Sequence, residues 1–308
     1  MQVYFSFIQP YNLMDRTLKL RDFVSDKVLK YLIIGILALI CACFEAGAQI
    51  RVMSFNIRYD NNGDGINQWA NRKEHVSELV RYHGAEIVGM QEVLINQLKD
   101  VHAALPEMAW IGRGRDDGKE AGEFSPVLYN KSRFTLLKTE TFWLSDSSSK
   151  VGFGWDAVCR RVVTYGLFKD KKSGKEFYFF NTHFDHRGQI ARRESAKLVL
   201  KKIAEIAGKK PVILTGDFNA RPDSEPIRIL MDEQNPDRLT DSEKITKTPH
   251  YGPFSTVNGF KAEAPDVHID YIFVKNGLSC LKHATHTETW EGRFPSDHFP
   301  VSATLVLP

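Results

Sequence analysis

The hydrophobic pattern changes character near residue 49. Ahead of it lies one long apolar run, Tyr31 to Phe44 (YLIIGILALICACF), with Lys27 and Lys30 before it and Ala46-Gly47-Ala48 after it. Beyond it, short runs rich in β-branched and aromatic residues recur to the C-terminus, each bounded by Gly, Asn, Asp or Pro. They predict strands over 50–58, 86–93, 124–130, 162–169, 176–184, 211–217, 268–275 and 300–307. Two segments carry a helical period instead. In 69–83, Trp69, Val76, Leu79 and Val80 share a face; in 191–207, Ala196, Val199, Leu200, Ile203 and Ile206 do, with Lys197, Lys201 and Lys202 outside. Strands alternating with helices, with no internal repeat, low-complexity tract or long linker, make residues 49–308 one α/β (α+β) domain.

The early apolar run is short of the ~20 residues that span a bilayer. With its basic flank and small-x-small end it has the form of a secretory signal peptide cleaved after Ala48. The expectation is a secreted or periplasmic protein with no stable membrane span after cleavage; lipid attachment at Cys43 is the lesser alternative. Residues 1–27 are a long lead for such a signal, and Met14 is an alternative start. Removing residues 1–48 leaves a formal net charge of about +2 from the +3 of the whole chain. Sequence-independent grip on long nucleic acids draws on a strong basic excess. Its absence favours a small phosphorylated molecule or phosphodiester as substrate and leaves nucleic acid open but not favoured. Cys159 and Cys280 remain, as one disulfide or two thiols, and cannot build a metal site. A monomer is expected.

Polar residues gather where the predicted strands end: Asn56, Glu92, Asn181, His183 and Asp185, Asp217 and Asn219, Asp270, and Asp297-His298 just before the last strand. A buried carboxylate at a strand end is costly unless it is paired, hydrogen-bonded or metal-bound. One Asp-x-Asn alone is an ordinary turn; five such ends in one chain point to a shared crevice. Carboxylates and amides without cysteine suit a hard cation, Mg²⁺ first, with Mn²⁺ or Ca²⁺ as alternatives. Histidines beside them suit proton transfer or contact with anionic oxygen. Together they describe hydrolysis of a phosphate ester.

Met53-Ser54-Phe55-Asn56-Ile57-Arg58, Met90-Gln91-Glu92-Val93, Asn181-Thr182-His183, Gly216-Asp217-Phe218-Asn219, Ile269-Asp270-Tyr271-Ile272 and Ser296-Asp297-His298 stand in the order and rough spacing of the endonuclease/exonuclease/phosphatase superfamily, which the chain resembles over nearly all of 50–308. Asn61 to Gly65, with Trp69 and Arg72, and Phe142 to Ser145 are similar to a bacterial secreted branch. The resemblance implies a four-layer α/β sandwich: two packed, mixed and mostly antiparallel β-sheets flanked by helices. It implies Glu92 as principal metal ligand, with Asn56 and Asp297 near the same ion. Asp217 and Asn219 would orient the attacking water and a phosphate oxygen, His183 and His298 would contact the scissile phosphate, and Asp270 would hold the His298 ring. Either Asp217 or His298 could take the water's proton. Arg161, Asp185 and His250 are candidates for substrate contact. The competing readings are a nuclease with the same site, a non-catalytic binding protein of the same fold, and a glycosidase working with two carboxylates and no metal.

Overall fold

A computed structural model describes residues 28–34 and 49–308. The chain divides into a unit Met1–Gly47, of which only a helical stretch at 28–34 is described, and a unit Ala48–Pro308 that carries everything below. Most of the signal-peptide reading therefore lies outside the described residues. Among those described, no helix is long and apolar enough to cross a membrane.

The elements in chain order are β1 (Gln49–Asn56), α1 (Lys73–Tyr82), β2 (Ile87–Gln91), α2 (Ile95–Ala104), β3 (Met108–Ile111), β4 (Val127–Asn130), β5 (Phe134–Trp143), β6 (Val162–Asp170), β7 (Glu176–His183), α3 (Gln189–Ala207), β8 (Val212–Asp217), α4 (Glu225–Met231), β9 (Thr240–Asp241), β10 (Asp270–Lys275), β11 (Ser279–Thr285) and β12 (Val301–Val306). They form two six-stranded sheets, ordered β11-β12-β1-β2-β4-β3 and β5-β6-β7-β8-β10-β9. Each sheet has one parallel pair, β1/β2 and β7/β8, among antiparallel neighbours.

The period-two alternation of each strand sorts its side chains between two environments. In β7, Phe177 and Phe179 enter the layer between the sheets with Ile50, Val52, Ile213, Ile272 and Val274. Tyr178 and Phe180 point the other way, onto Ala196, Val199 and Ile203 of α3. On the first sheet, Met53, Phe55, Val88 and Met90 pack outward on Val76, Leu79 and Val80 of α1 and Leu98 and Val101 of α2. The result is the expected four-layer sandwich, helix on sheet on sheet on helix.

Four strands outside the predicted runs, β3, β5, β9 and β11, form the edges of the two sheets; β5 and β11 each carry a register shift, between Leu136 and Lys138 and between Cys280 and Lys282, while β3 and β9 are only four and two residues long. A bulge breaks strict alternation and so removes the signal by which a strand is read. The helices α2 and α4 are short and bury few apolar residues, Leu98 and Val101 in one, Ile227 and Leu230 in the other. Cys159 and Cys280 are free thiols, so no disulfide forms between them.

Candidate active site

The rows of side chains between the sheets begin apolar and end polar. Along β1 the row runs Ile50, Val52, Ser54, Asn56; along β8, Ile213, Thr215, Asp217; along β7, Phe177, Phe179, Asn181, His183. β10 runs the opposite way and starts with Asp270. Strand register then sets His183 opposite Asp217 and Asp217 opposite Asp270. Midway, the Asn181 side-chain oxygen accepts from Gln91 Nε2 (2.7 Å) and Thr215 Oγ1 (3.0 Å). Its amide nitrogen donates to the Met90 and Pro126 carbonyls (2.6 and 2.9 Å), tying the two sheets together. Gly89 permits that approach, because a Cβ there would lie 2.0 Å from Thr215 Oγ1 and 2.5 Å from Asn181 Oδ1.

At the polar end, Asn56 links carboxylates from both sheets. Its amide nitrogen donates to Glu92 Oε1 (3.1 Å) and Asp217 Oδ2 (3.0 Å), while its oxygen accepts from Arg58 N (2.9 Å). In this orientation Asn56 spaces the carboxylates; as a cation ligand it would have to present its oxygen instead. Glu92 follows β2 in a left-handed backbone conformation (φ 62°), uncommon for a residue with a Cβ, and its Oε2 accepts from Tyr59 N at 3.1 Å. Asn219, also left-handed (φ 46°), turns its amide onto His183 Nε2 (3.0 Å) and the Phe184 carbonyl (3.1 Å), while its backbone N donates to Asp217 Oδ1 (2.9 Å).

The segment before β12 is drawn in by Ser296, whose hydroxyl donates to the Asn56 carbonyl at 2.6 Å. Asn258 N and Gly259 N donate to the Asp297 carbonyl. His298 then lies with Nδ1 2.9 Å from Asp270 Oδ2 and Nε2 3.9 Å from Asp217 Oδ2. His183 Nε2 approaches the same Asp217 oxygen at 3.4 Å.

Burial, then the neighbouring Asp270 charge, pushes the Asp217 carboxyl up from 3.8 to about 7, against the opposing pull of His298 and of hydrogen bonds from Asn219 and Asn56. Burial opposes charge on His298, yet Asp270 and then Asp217 hold that ring well above the usual histidine range. His183 goes the other way: burial, then the cations Arg161 and Arg115, keep it well below that range. Asp297 is raised by burial and by Glu92, with His298 and Arg58 opposing. Its Oδ2 lies 3.9 Å from Arg58 Nε.

The three candidates for substrate contact fare differently. Arg161 is buried behind His183; its Nη2 meets His186 Nδ1 at 3.1 Å, while Nε and Nη1 have no hydrogen-bond partner among the described residues. Asp185 is a loop anchor, not an exposed contact: it is buried and accepts from the backbone N–H groups of Val158, Cys159, Arg187 and Gly188. It thereby holds the segment leading to Arg161, whose Nε is 3.7 Å away. His250 belongs to another group, with its ring nitrogens facing His283 Nδ1 (2.9 Å), the Pro253 carbonyl and Thr285 Oγ1. None of its hydrogen bonds reaches the residues around Asp217; the loop that carries it packs along β11.

Sequence reading missed Glu123 and Arg115. Their carboxylate and guanidinium meet at 2.7 Å, and Glu123 Oε2 lies 4.0 Å from His183 Nδ1. Burial raises the Glu123 pKa. The usable signal for Glu123 was a charged residue directly before the apolar Phe124 and the predicted strand 124–130; Arg115 carried none.

Glu92, His183 and Asp217 each offer a ligand atom, all within 4.8 Å of one another. Two carboxylates and an imidazole at the mouth of a buried layer, with one carboxyl raised by its acidic neighbour, form a donor set that a divalent cation fits.

The fold and these side chains together define a four-layer sandwich with an acid–imidazole crevice at one end of its paired sheets. Comparison with known proteins says the same: the sequence pattern of the Endonuclease/Exonuclease/phosphatase family matches residues 53–298. The chain belongs to that family. It is 43% identical to an endonuclease/exonuclease/phosphatase protein from Bacteroides vulgatus, with a TM-score of 0.80, covering 84% of this chain and 99% of that one. It is 37% identical to a mannosyl-6-phosphatase from Bacteroides thetaiotaomicron, again at a TM-score of 0.80, covering 84% of this chain and all (100%) of the other. The catalytic domain of human nocturnin shares the fold at 19% identity, with a TM-score of 0.68, 85% of this chain and 95% of that one being covered.

Proposed function

We propose that this protein is an exported, divalent-metal-dependent phosphoesterase that releases phosphate from small phosphorylated molecules, sugar phosphates foremost. The observation that carries the reading is Asp217. It is a buried carboxylate with a pKa near 7, and a neutral and a charged imidazole approach the same oxygen. That is the equipment for holding a water molecule and taking its proton at neutral pH. His298, already protonated and braced by Asp270, is poorly suited to be the base and well suited to neutralise a phosphate oxygen. His183, held neutral, shares a hydrogen bond with Asn219, and the two orient a second oxygen. Arg161 adds a buried positive charge beside them, ion-paired to Asp185 and Glu123 at 3.7 and 3.9 Å. Glu92, with Asp297 close by, would hold the cation, and Asn56 keeps Glu92 and Asp217 apart. When bound, a divalent cation supplies charge neutralisation at the phosphoryl oxygens.

The sugar-phosphate preference rests on the mannosyl-6-phosphatase relative and on the near-neutral charge. Export rests on the apolar run at 31–44; N-terminal sequencing of protein recovered outside the cytoplasm tests it, with Gln49 the expected first residue. The activity is tested by a panel of sugar 6-phosphates, small phosphodiesters, and single- and double-stranded DNA, each with Mg²⁺, Mn²⁺ or chelator. Metal-stimulated phosphate release from the monoesters is expected. Turnover confined to DNA would replace the reading with a nuclease, and chelator-insensitive turnover would remove the cation from it.

A further inference from the structure

A second group of metal-ligand side chains lies where the end of α1 meets the loop between β11 and β12. His83 Nε2 is 2.7 Å from Glu288 Oε1, and His286 Nδ1 is 3.9 Å from the same oxygen. One ligand atom from each of the three falls within 4.8 Å of the others. The two imidazole rings lie against each other, with centroids 3.8 Å apart and planes tilted by 35°. Tetrahedral zinc with ligands at ~2.0–2.1 Å separates neighbouring donor atoms by about 3.3 Å, inside the spread seen here.

The outer nitrogen of His286 adds an independent observation. Nε2 lies 2.7 Å from Ser302 Oγ on β12. Ser302 fixes the ring from its outer side, and in the tautomer whose Nε2–H donates to that hydroxyl the Nδ1 lone pair is free to ligate a cation beside Glu288. A ligating histidine typically has its other ring nitrogen fixed by such a hydrogen bond. His83 and Glu288 are partly exposed, so an ion can reach the site and a water can complete its coordination.

The geometry points to a zinc-class cation site formed by His83, His286 and Glu288, distinct from the pocket around Asp217 in place and in chemistry. Two imidazoles and one carboxylate select a borderline first-row cation such as Zn²⁺ over Mg²⁺. Its role follows from what the loop carries. That loop already meets α1 and its flanks at His75, stacked on Trp290 at 4.4 Å, and at Arg72, whose Nη1 donates to the Pro295 carbonyl at 3.1 Å. It ends in Asp297-His298. A bound ion would cross-link His83 to the loop and stiffen the segment that delivers both residues.

The test is Zn²⁺ uptake by the full chain in excess Mg²⁺, read by competition with a chromophoric chelator. His83→Gln and Glu288→Gln are compared with the wild type; neither residue belongs to the Asp217 pocket. The wild type should take up one more tight equivalent than either variant, and Zn²⁺ should raise its melting temperature but not theirs. Outer hydrogen-bond partners alone are worth about 10–100-fold in metal affinity, so losing a ligand should weaken binding at least that much. Mg²⁺-supported activity should be the same in all three. Equal zinc uptake by wild type and both variants overturns the site. So does uptake that Glu92→Ala abolishes and His83→Gln leaves intact, because that ion sits in the Asp217 pocket.

Discussion

The two ends of the layer between the sheets are made from the same strands with the same alternation, yet they do opposite things. At one end, Phe177, Phe179, Ile213, Ile272 and Val274 are fully or almost fully buried and contribute apolar burial of about 1.5–3 kcal/mol for each large side chain. At the other, Asn56, His183, Asp217 and Asp270 are just as buried but polar, and each depends on a named partner. The comparison teaches that the active end is held in place by the apolar end. Acidic groups that repel one another stay together because the rows that carry them are anchored a few residues away.

The comparison breaks most sharply at Asp217. Asp217→Asn should cut turnover by roughly 10²–10⁴-fold, the range of a positioned general base. It should leave thermal stability unchanged or raised, because it removes a buried negative charge beside Asp270. A variant that is both active and destabilised would reverse the assignment of cost and benefit between the two ends. Glu92→Ala should bring activity in Mg²⁺ down to the level seen with chelator and abolish any Mg²⁺-dependent rise in melting temperature. Full metal stimulation in that variant would take Glu92 out of the site.

Phe179→Ala probes the apolar end. It should cost about 3–5 kcal/mol in denaturant unfolding while the surviving folded molecules keep most of their turnover per site. Loss of turnover without loss of stability would mean that the two ends are not separable. The smallest effect is a pH slope. Asp217 is raised from 3.8 to about 7 in the folded protein, so between those values the folded state holds a proton that the unfolded state has released. The Asp217 contribution to metal-free stability should therefore fall as pH rises from about 4 to about 7, against the opposite contribution of histidines held below their usual range, such as His183 and His283. His298, also raised, adds to the fall in the same direction above its unfolded value. In chelator-treated protein, the melting temperature of the wild type relative to Asp217→Asn should therefore fall across that range, because the variant lacks this contribution.

Much of the fold was legible because its central strands are rich in β-branched and aromatic residues. The runs at 162–169 and 176–184 became β6 and β7 within a residue at either end. None of the four edge strands was legible: a bulge interrupts β5 and β11 and much of β5 faces outward, while β3 and β9 are too short to show an alternation. Of the candidate site, Asn56, Glu92, His183, Asp217, Asn219, Asp270, Asp297 and His298 lie in one hydrogen-bonded and ion-paired group. Asp185 and His250 were read from position beside a motif, which does not determine where a side chain is held; one anchors backbone and the other pairs with His283.

The sequence by itself determined which residue types stand at the strand ends: acids, amides and imidazoles at the ends of otherwise apolar rows. Alternation is a local property, and it places every second side chain on one face without reference to anything distant. Only the tertiary structure decided the electrostatic roles. Whether a histidine is kept neutral like His183 or charged like His298, and whether Asp217 is raised toward neutrality, depends on burial and on the nearest charge. Those neighbours come from other strands and loops, such as Arg161 and Asp270, and chain separation does not encode their distance.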